Sequence, residues 1–265
     1  MENNYNRVYD LEFGKLYALW LREFKVFLRE KSRLAAAIFT PLLWLFVFGG
    51  GVGSSLSGFT NTSSNINYQE FIFPGIISMS VIFSSVFFGS YIIWDKKFDF
   101  LKSVMVAPVS RSTIFIGKTL GGMTTSIIQA FILLFIGLFL GIHYTPMAMI
   151  LIIAIILLLS FALTSLGLAI GSFMESLEGF QLIVSFVVFP LYFLSGALFP
   201  LKNLPTWLSI LTSMDPATYA VEALRTAMLE IPGKNPFALD ILLLVIATVI
   251  LGIIGIACFR RMKAV

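Results

Sequence analysis

One stretch of the sequence, Gly117-Lys118-Thr119, resembles the end of a phosphate-binding loop. In such a loop a glycine stands five positions before the Gly-Lys-Thr, so that backbone amides surround the phosphates and the lysine neutralises them. Position 112 is a serine, Ser112, and no strand pattern precedes the stretch. We therefore expect this chain to bind no nucleotide, so that any ATP and Mg²⁺ would be held by a partner.

Residues suited to acid–base or metal chemistry are few. Glu175 and Glu178 are one helical turn apart and could form a pair of acids, although solvated residues at a helix end are the commoner explanation. The sequence has one histidine, His143, and one cysteine, Cys258. These are too few for the usual His/Cys metal sites or an internal disulfide. We expect no catalytic residue and no metal site; a membrane-embedded enzyme that uses the two glutamates is the weakest alternative.

The composition indicates a membrane protein. Hydrophobic residues make up 58% of the 265 residues and charged residues 12%, whereas soluble domains have about 45–50% and about 25%. A helix needs about 20 apolar residues to cross the hydrocarbon core of a bilayer. Six segments meet this requirement, and they lie at 34–53, 71–93, 119–142, 146–174, 179–201 and 241–259.

The six segments contain no Asp, Glu, Lys or Arg. Proton- and ion-coupled carriers usually keep ionisable groups inside their spans, so this composition weighs against an ATPase-independent carrier or channel, which stays an alternative. All but three of the 18 lysines and arginines fall on one side of the predicted spans. The positive-inside rule places that side, with both termini, in the cytoplasm. We therefore expect a multi-pass protein of the cell (inner or plasma) membrane.

The segments outside the spans also carry patterns. Residues 1–33 form a predicted cytoplasmic segment with a basic amphipathic helix that lies at the membrane interface, and 260–265 form a cytoplasmic tail after the membrane domain at 34–259. Residues 54–67 read as a polar outer loop. Residues 204–229 contain two helical patterns too short to span, with Pro205 and Pro216 at first helical positions and Asp215 as an N-cap. We expect these two helices to dip into or lie on the outer face.

Glycines and prolines occur within and beside the predicted spans. Gly117–Gly121 and Gly167–Gly171 are Gly-x-x-x-Gly spacings that allow helices to approach closely, and packing within one chain is the expected use. Pro41, Pro74 and Pro190 fall inside spans and should kink them.

Two longer stretches resemble a known family. Trp94-Asp-Lys-Lys-Phe-Asp-Phe-Leu-Lys-Ser-Val-Met-Val-Ala-Pro-Val-Ser-Arg111, followed by Gly117–Gly122, is similar to the cytoplasmic loop of type-2 ABC exporter permeases. The stretch Phe193-Leu-Ser-Gly-Ala-Leu-Phe-Pro200, with the later segment from Asp215 to Arg225, resembles the last third of the same family. The similarity covers nearly the whole chain, and the subgroup it looks like is that of drug-resistance (multidrug) and nodulation-factor exporters.

The resemblance implies an all-α integral membrane protein with six transmembrane helices, an N-terminal interfacial helix, a cytoplasmic coupling helix and two short re-entrant outer helices. It also implies a homodimer in which each copy docks a separate ATP-binding cassette subunit that carries ATP and Mg²⁺. The coupling helix would lie at about 95–106; the alternative for this segment is an interfacial helix that rests on lipid head groups. Its implied docking residues are Asp95, Phe98, Leu101, Lys102, Met105 and Pro108. Lys97 and Asp99 depart from the family pattern, which has an acidic residue and a glycine near these positions.

The resemblance further implies a pathway at the dimer interface, between the first, second and fifth spans, for an amphipathic drug-like, lipid or glycolipid substrate that moves outward. Aromatic side chains could line it, or could face lipid or the helix bundle; the candidates are Phe83, Phe87, Tyr91, Phe186, Phe189 and Tyr192. The outer helices would guard the exit, and the gate candidates are Pro200, Pro205, Asp215 and Pro216. The expected partners are the ATPase subunit, a second copy of the chain and membrane lipid, and no nucleic acid.

Overall fold

The structure, a computed structural model, describes residues 2–52, 68–201, 204–231 and 233–262. Over these ranges the chain forms eleven α-helices, one π-helical segment and no strand. The predicted polar loop at 54–67 lies outside the described residues. The helices are α1 (Glu2–Arg29), α2 (Lys31–Phe46, continued by the π-helical Val47–Val52), α3 (Tyr68–Phe87), α4 (Ser90–Lys97), α5 (Phe100–Val106), α6 (Arg111–Phe139), α7 (Pro146–Phe173), α8 (Leu177–Leu194), α9 (Thr206–Met214), α10 (Pro216–Leu229) and α11 (Phe237–Arg261).

Five helical stretches within the described residues are long and apolar enough to cross a membrane. They are Tyr68–Lys97, which joins α3 and α4, then Arg111–Phe139, Pro146–Phe173, Leu177–Leu194 and Phe237–Arg261. A shorter apolar stretch, Ile38–Gly51, falls within α2 and its π-helical continuation. This all-helical architecture with several apolar helices confirms an integral membrane protein.

Several helices begin at side-chain caps that fix their first residue. α6 begins at Arg111, well before the predicted 119, because the Ser110 hydroxyl accepts a hydrogen bond from the Thr113 amide at 3.1 Å. Ser176 caps α8 in the same way, accepting from the Gly179 amide at 3.1 Å. A cap satisfies one of the amides left without a partner at a helix start. α6 therefore begins before the predicted third span, 119–142.

α8 ends at Leu194, before the end of the fifth predicted span, 179–201. The chain turns at Gly196, whose φ of +73° is a left-handed conformation that glycine adopts without strain. Pro41, Pro74 and Pro190 lie inside helices, as predicted.

Two short helices, α9 and α10, lie within the predicted stretch 204–229. Asp215 accepts a hydrogen bond from the Ala217 amide at 2.8 Å, and Pro216 takes the first helical position of α10. Both features match the prediction. Pro205 instead occupies the N-cap position of α9, since that helix begins at Thr206.

The predicted coupling helix at 95–106 is wrong as a single helix. α4 ends at Lys97, Phe98 and Asp99 form a turn, and α5 begins at Phe100. Asp99 has a φ of +55°, a conformation that ends a helix and that glycine adopts most easily. The turn changes which side chains share a face.

Helix α7 lies at the centre of the bundle and packs against α3, α6, α10 and α11. Gly89 and Gly167 bring α7 against the α3–α4 junction so closely that a Cβ on either would collide with backbone atoms of the other helix. On α6, Gly117 and Gly121 receive Leu19 and Glu23 of α1. Both Gly-x-x-x-Gly spacings therefore pack helices within this chain.

The two ends of the bundle differ in charge. We call the end with Lys96, Arg111, Lys118 and Arg260 the basic end, and the end with the α6–α7 turn and the segment between α8 and α9 the distal end. At the basic end, the Arg260 guanidinium donates to the Ser112 hydroxyl at 2.8 Å and so ties α11 to α6. At the distal end, the Tyr68 hydroxyl donates to the Leu198 carbonyl at 3.0 Å.

Candidate functional site

The segment α4–α5 carries three exposed apolar side chains at the basic end, Trp94, Phe98 and Val106, which we call the exposed patch. Phe98 is 70% exposed and Val106 is 88% exposed. The rings of Trp94 and Phe98 stack with their centroids 5.7 Å apart. Large apolar side chains this exposed are typical of a surface that a partner or a membrane covers.

The opposite side of the same segment is buried. Leu101 packs in a small core with Leu19, Ile114 and Phe259. Phe98 and Leu101 therefore do not share a face, contrary to the helical spacing in the sequence, because the turn at Asp99 separates them. Met105 is half-buried against this small core.

The remaining predicted docking residues lie on the exposed side or inside the protein. Lys102 is exposed and pairs with Asp99 at 3.0 Å. Pro108 is exposed, and its carbonyl accepts a hydrogen bond from the Lys15 ammonium at 2.6 Å. Asp95 is 4% exposed, so its carboxylate faces the interior of this chain.

Asp95 belongs to a cluster of four charged residues, with Arg22 and Glu23 from α1 and Lys118 from α6. Arg22 is half-buried and the other three are buried. The Lys118 ammonium donates to Asp95 and, at 3.0 Å, to Glu23. The Arg22 guanidinium donates to Asp95 at 2.6 Å and to Glu23 at 2.7 Å. Two cations and two carboxylates thus balance each other where three helices meet.

The environment keeps the charges of this cluster in place. Lys118 is 0% exposed and Glu23 is 2% exposed, and an unpaired charge at such depth would cost several kcal/mol. Burial opposes the charged form of Arg22, but hydrogen bonds and charge from Asp95 and Glu23 outweigh burial and raise its pKa. The Arg22 guanidinium also lies 3.6 Å from the centre of the Phe100 ring, so it connects α1 to α5 as well.

This cluster was not predicted from the sequence. Glu23 was not singled out there, and Lys118 was noted only within the false nucleotide motif. The available signal was the pairing of Gly117 and Gly121 around Lys118, because two small residues let a neighbouring helix reach the lysine. Since the Lys118 ammonium is paired with two carboxylates, it is not placed to bind a phosphate.

The neighbouring lysine, Lys96, points the other way and caps α7. Its ammonium donates to the carbonyls of Ser172 at 2.7 Å and Met174 at 3.2 Å. The last carbonyls of a helix have no hydrogen-bond partner within the helix and carry partial negative charge. A lysine ammonium there donates hydrogen bonds to them and balances that charge. Asp95 and Lys96 consequently fasten α4 to different helices.

A groove of about 730 Å³ lies beside α4 at the basic end. Its lining includes Lys96, Lys97 and Arg261 together with Glu175 and Glu178. The two glutamates lie near these cations and flank the turn between α7 and α8. This mixed charge suits contact with a polar protein surface. Groups of three or more metal-ligating side chains do not occur within the described residues.

An aromatic cluster joins α2, α3 and α8. The Phe83 ring contacts Phe87 of the same helix, and it meets Phe189 and Tyr192 of α8 edge to face, at centroid distances of 5.7 and 6.2 Å. Tyr192 also meets Trp44 of α2 at 6.3 Å. Four of the six predicted pathway residues, namely Phe83, Phe87, Phe189 and Tyr192, therefore come together.

The other two predicted pathway residues lie apart. The Tyr91 hydroxyl donates to the Glu30 carboxylate at 2.6 Å and so links α4 to the end of α1. Phe186 is 75% exposed on α8. Together with Phe189 and Pro190 it lines an open groove of about 710 Å³ along the surface of that helix.

The predicted gate residues lie at the distal end. Pro200 and Pro205 are exposed, Pro216 is half-buried and Asp215 is buried. Burial raises the pKa of Asp215 from 3.8 to about 7, against the opposing effect of its hydrogen bonds from Ala217 and Thr218.

A residue that the sequence analysis did not single out, Arg225, holds the segment after α8. Its guanidinium donates to the Gly196 carbonyl at 2.9 Å and lies 4.0 Å from the centre of the Phe71 ring. The segment that precedes α9 is thereby fixed to α3 and α10.

Comparison with known proteins gives the family. Residues 14–229 match the ABC-2 type transporter family. The inner membrane transport permease YadH of Escherichia coli (strain K12) is 30% identical over 234 residues, which cover 82% of this chain and 83% of the relative. A putative transport permease, ycf38 of Cyanophora paradoxa, is 30% identical over 80% of this chain and 73% of its own length.

A third relative carries a more specific name. Nodulation protein J of Rhizobium leguminosarum bv. viciae is 24% identical over 92% of this chain and 93% of its own length. The matched stretch of the family includes the α4–α5 segment, the charge cluster and the distal helices. The chain therefore belongs to the ABC-2 type transporters, as a membrane permease subunit of an ABC transporter.

Proposed function

We propose that this permease is the membrane-spanning subunit of an exporter driven by ATP hydrolysis on a separate subunit. The exposed patch of Trp94, Phe98 and Val106 carries the proposal. It lies at the basic end. Leu101 and Asp95 fix the other side of the same segment, so a partner would bind to a rigid element. Apolar anchors inside a charged rim are typical of docking surfaces, and Lys97 and Lys102 supply such a rim.

The proposed topology has six spans with both ends of the chain in the cytoplasm. α2 and its π-helical continuation supply the sixth span, and α1 lies at the inner interface. The positive-inside rule supports this orientation, since the basic end collects most of the lysines and arginines. α9 and α10 are then short re-entrant helices at the outer face, near the exit of the pathway.

The proposed pathway lies between two copies of the chain. The aromatic cluster on α2, α3 and α8 would face it, together with the exposed Phe186. An apolar, aromatic lining suits an amphipathic drug-like molecule, a lipid or a glycolipid. ATP and Mg²⁺ would be bound by the partner, whose movement would open the interface between the copies.

Co-purification tests the docking step. The permease is expressed with a candidate ATP-binding cassette subunit, purified in mild detergent and analysed for co-elution. Phe98→Asp and, separately, Val106→Asp should abolish co-elution. The matched control is Phe139→Asp, because Phe139 is 78% exposed but lies at the distal end.

The outcomes separate the candidate functions. Co-elution of the parent and the Phe139 variant, lost in both patch variants, supports the exporter. A chain that never binds an ATPase and yet transports in liposomes without ATP would make it a carrier or channel. Leu101→Asp is not a useful variant, because Leu101 is 2% exposed and its replacement would disrupt the small core.

A further inference from the structure

Two consecutive residues fasten the α4–α5 segment to different parts of the bundle. Asp95 reaches α1 and α6 through the charge cluster, and Lys96 reaches the last carbonyls of α7. The segment therefore has two separate connections to the spans, one on each side of α4.

The chemistry of these connections favours a geometric role over simple stabilisation. Buried ion pairs gain little over apolar side chains of the same size, because desolvation offsets most of their attraction. They do fix relative positions, since charge-assisted hydrogen bonds are short and directional. Around Asp95, two cations from two helices bind both oxygens of one carboxylate, so α4 cannot shift without moving α1 and α6 or breaking the cluster.

The connection through Lys96 is of a different kind. Its ammonium contacts backbone carbonyls of Ser172 and Met174, where α7 ends and the turn to α8 begins. Close packing of Gly89 against Gly167 lies on the same side. A displacement of α4 on this side would reach α7 and, through the short turn, α8.

From these contacts we infer that Lys118 and Lys96 are positioning residues for the ATP-driven movement. Lys118, through Asp95, carries the displacement of α4–α5 to α1 and α6, and Lys96 carries it to α7. The inference rests on the proposed function, in which the ATPase pushes on the exposed side of this segment.

Site-specific fluorescence tests the two routes separately. Cys258 is the single cysteine of the sequence, so Cys258→Ser provides a background for one reporter at a time. Phe135→Cys reports on α6 and Ile150→Cys on α7, since both residues are about two-thirds exposed, at 60% and 63%. Each is labelled with an environment-sensitive maleimide dye, and emission of the purified complex is recorded before and after addition of Mg-ATP.

Two variants break one route each. Asp95→Asn with Lys118→Met removes one charge of each sign from the cluster and leaves the Arg22–Glu23 pair. Lys96→Met removes the cap of α7. The matched control is Arg111→Met, because Arg111 likewise donates to terminal carbonyls, those of Arg260 and Met262 at the end of α11, without touching α4–α5.

We expect the ATP-dependent change to be lost at position 135 in the double variant and at position 150 in Lys96→Met, while co-elution with the ATPase persists. Arg111→Met should keep both changes. A merely stabilising role would lower the unfolding temperature and leave both emission changes in the intact complex, which would overturn the inference.

If the double variant does not assemble, the test rests on Lys96→Met alone. This variant should still fold, because Lys96 is half-buried and water can reach the carbonyls that lose its ammonium. An unchanged response at position 150 in Lys96→Met overturns the inference. Equal loss at both positions in either variant overturns the division into two routes. A parent complex that forms and shows no response to Mg-ATP overturns the inference and leaves docking supported. A parent that binds no ATPase overturns the proposed function as well.

Discussion

The Lys118 ammonium lies against the Asp95 carboxylate, with both side chains buried between α6 and α4. Lys118→Met should therefore destabilise the protein strongly, because it leaves Asp95 and Glu23 as two carboxylates with a single cation, Arg22. Removal of one partner from a buried pair costs about 3–5 kcal/mol. Thermal unfolding in detergent would measure the loss as a lower midpoint.

Lys102→Met is the control for that measurement. Lys102 pairs with Asp99 at the surface, and exposed pairs of this kind contribute about 0–1 kcal/mol. Its unfolding midpoint should stay close to that of the parent. Equal midpoints for the Lys118 and Lys102 variants would show that the buried cluster does not contribute as its geometry implies.

Gly167→Ala should separate α7 from the junction of α3 and α4. A Cβ at position 167 would collide with the backbone of Val86, which cannot move aside as a flexible side chain could. Overpacking of this kind costs about 1–3 kcal/mol. Gly14→Ala is the matched control, since nothing lies within 4 Å of its Cβ position. The prediction fails if both variants unfold at the temperature of the parent.

Asp99→Gly should be tolerated and should raise stability slightly. Asp99 has a φ of +55°, where a residue with a Cβ is strained by about 1 kcal/mol or more and glycine is not. The turn between α4 and α5 would keep its geometry, so co-elution with the ATPase should persist. A lower unfolding midpoint would show that the Asp99 contact with Lys102 outweighs the backbone strain.

The sequence predicted those features that depend on neighbouring residues along the chain. Asp215 before Pro216 is a local cap signal, and apolar runs define helices by length alone. The cap and five of the six predicted apolar segments therefore reappear in the structure. The end of α8 at Leu194 was missed, because its apolar pattern continues to Leu201 and only the left-handed Gly196 ends it. Phe98 and Leu101 were both expected among the docking residues, because the expected coupling helix at 95–106 is unbroken.

Local sequence patterns could not predict the charge cluster, for a different reason. Arg22, Glu23, Asp95 and Lys118 come from three distant parts of the chain, and each alone looks like a solvated residue. Their meeting depends on how α1 packs into the glycine-lined groove of α6. The spacing of Gly117 and Gly121 marks the α6 side of this contact but does not identify the helix that fills it. The same holds for Lys96, whose partners are backbone carbonyls with no side-chain identity to recognise.

Asp215 should make stability depend on pH. Its pKa in the folded protein is raised from 3.8 to about 7 by burial, so the folded state holds the proton more tightly than the unfolded state. The contribution of this group is therefore most favourable below about pH 4 and is lost as the pH rises to about 7. The change is about 1.4 kcal/mol for each pKa unit between the two states.

The comparison with Asp215→Asn isolates this effect from other titrating groups such as Glu222. Asparagine is also a good N-cap, so the helix start of α10 should persist. Thermal midpoints of the parent and the variant should diverge as the pH rises from 4 to 8, with the variant becoming the more stable. Parallel curves would show that Asp215 keeps an ordinary pKa in the folded protein.

Cross-linking should locate the contact between two copies of the chain. The proposed pathway places α8 at that contact, where Phe186 is exposed beside the aromatic cluster. In the Cys258→Ser background, Phe186→Cys should form a disulfide-linked dimer on mild oxidation in membranes, because symmetric contact brings the same residue of both copies together. Phe135→Cys, on the exposed side of α6, is the control and should stay monomeric on a denaturing gel. Disulfides need Cα atoms within about 7 Å. A dimer formed by Phe135→Cys and not by Phe186→Cys would therefore show that the copies meet at α6 rather than α8, and that the aromatic cluster does not line the pathway.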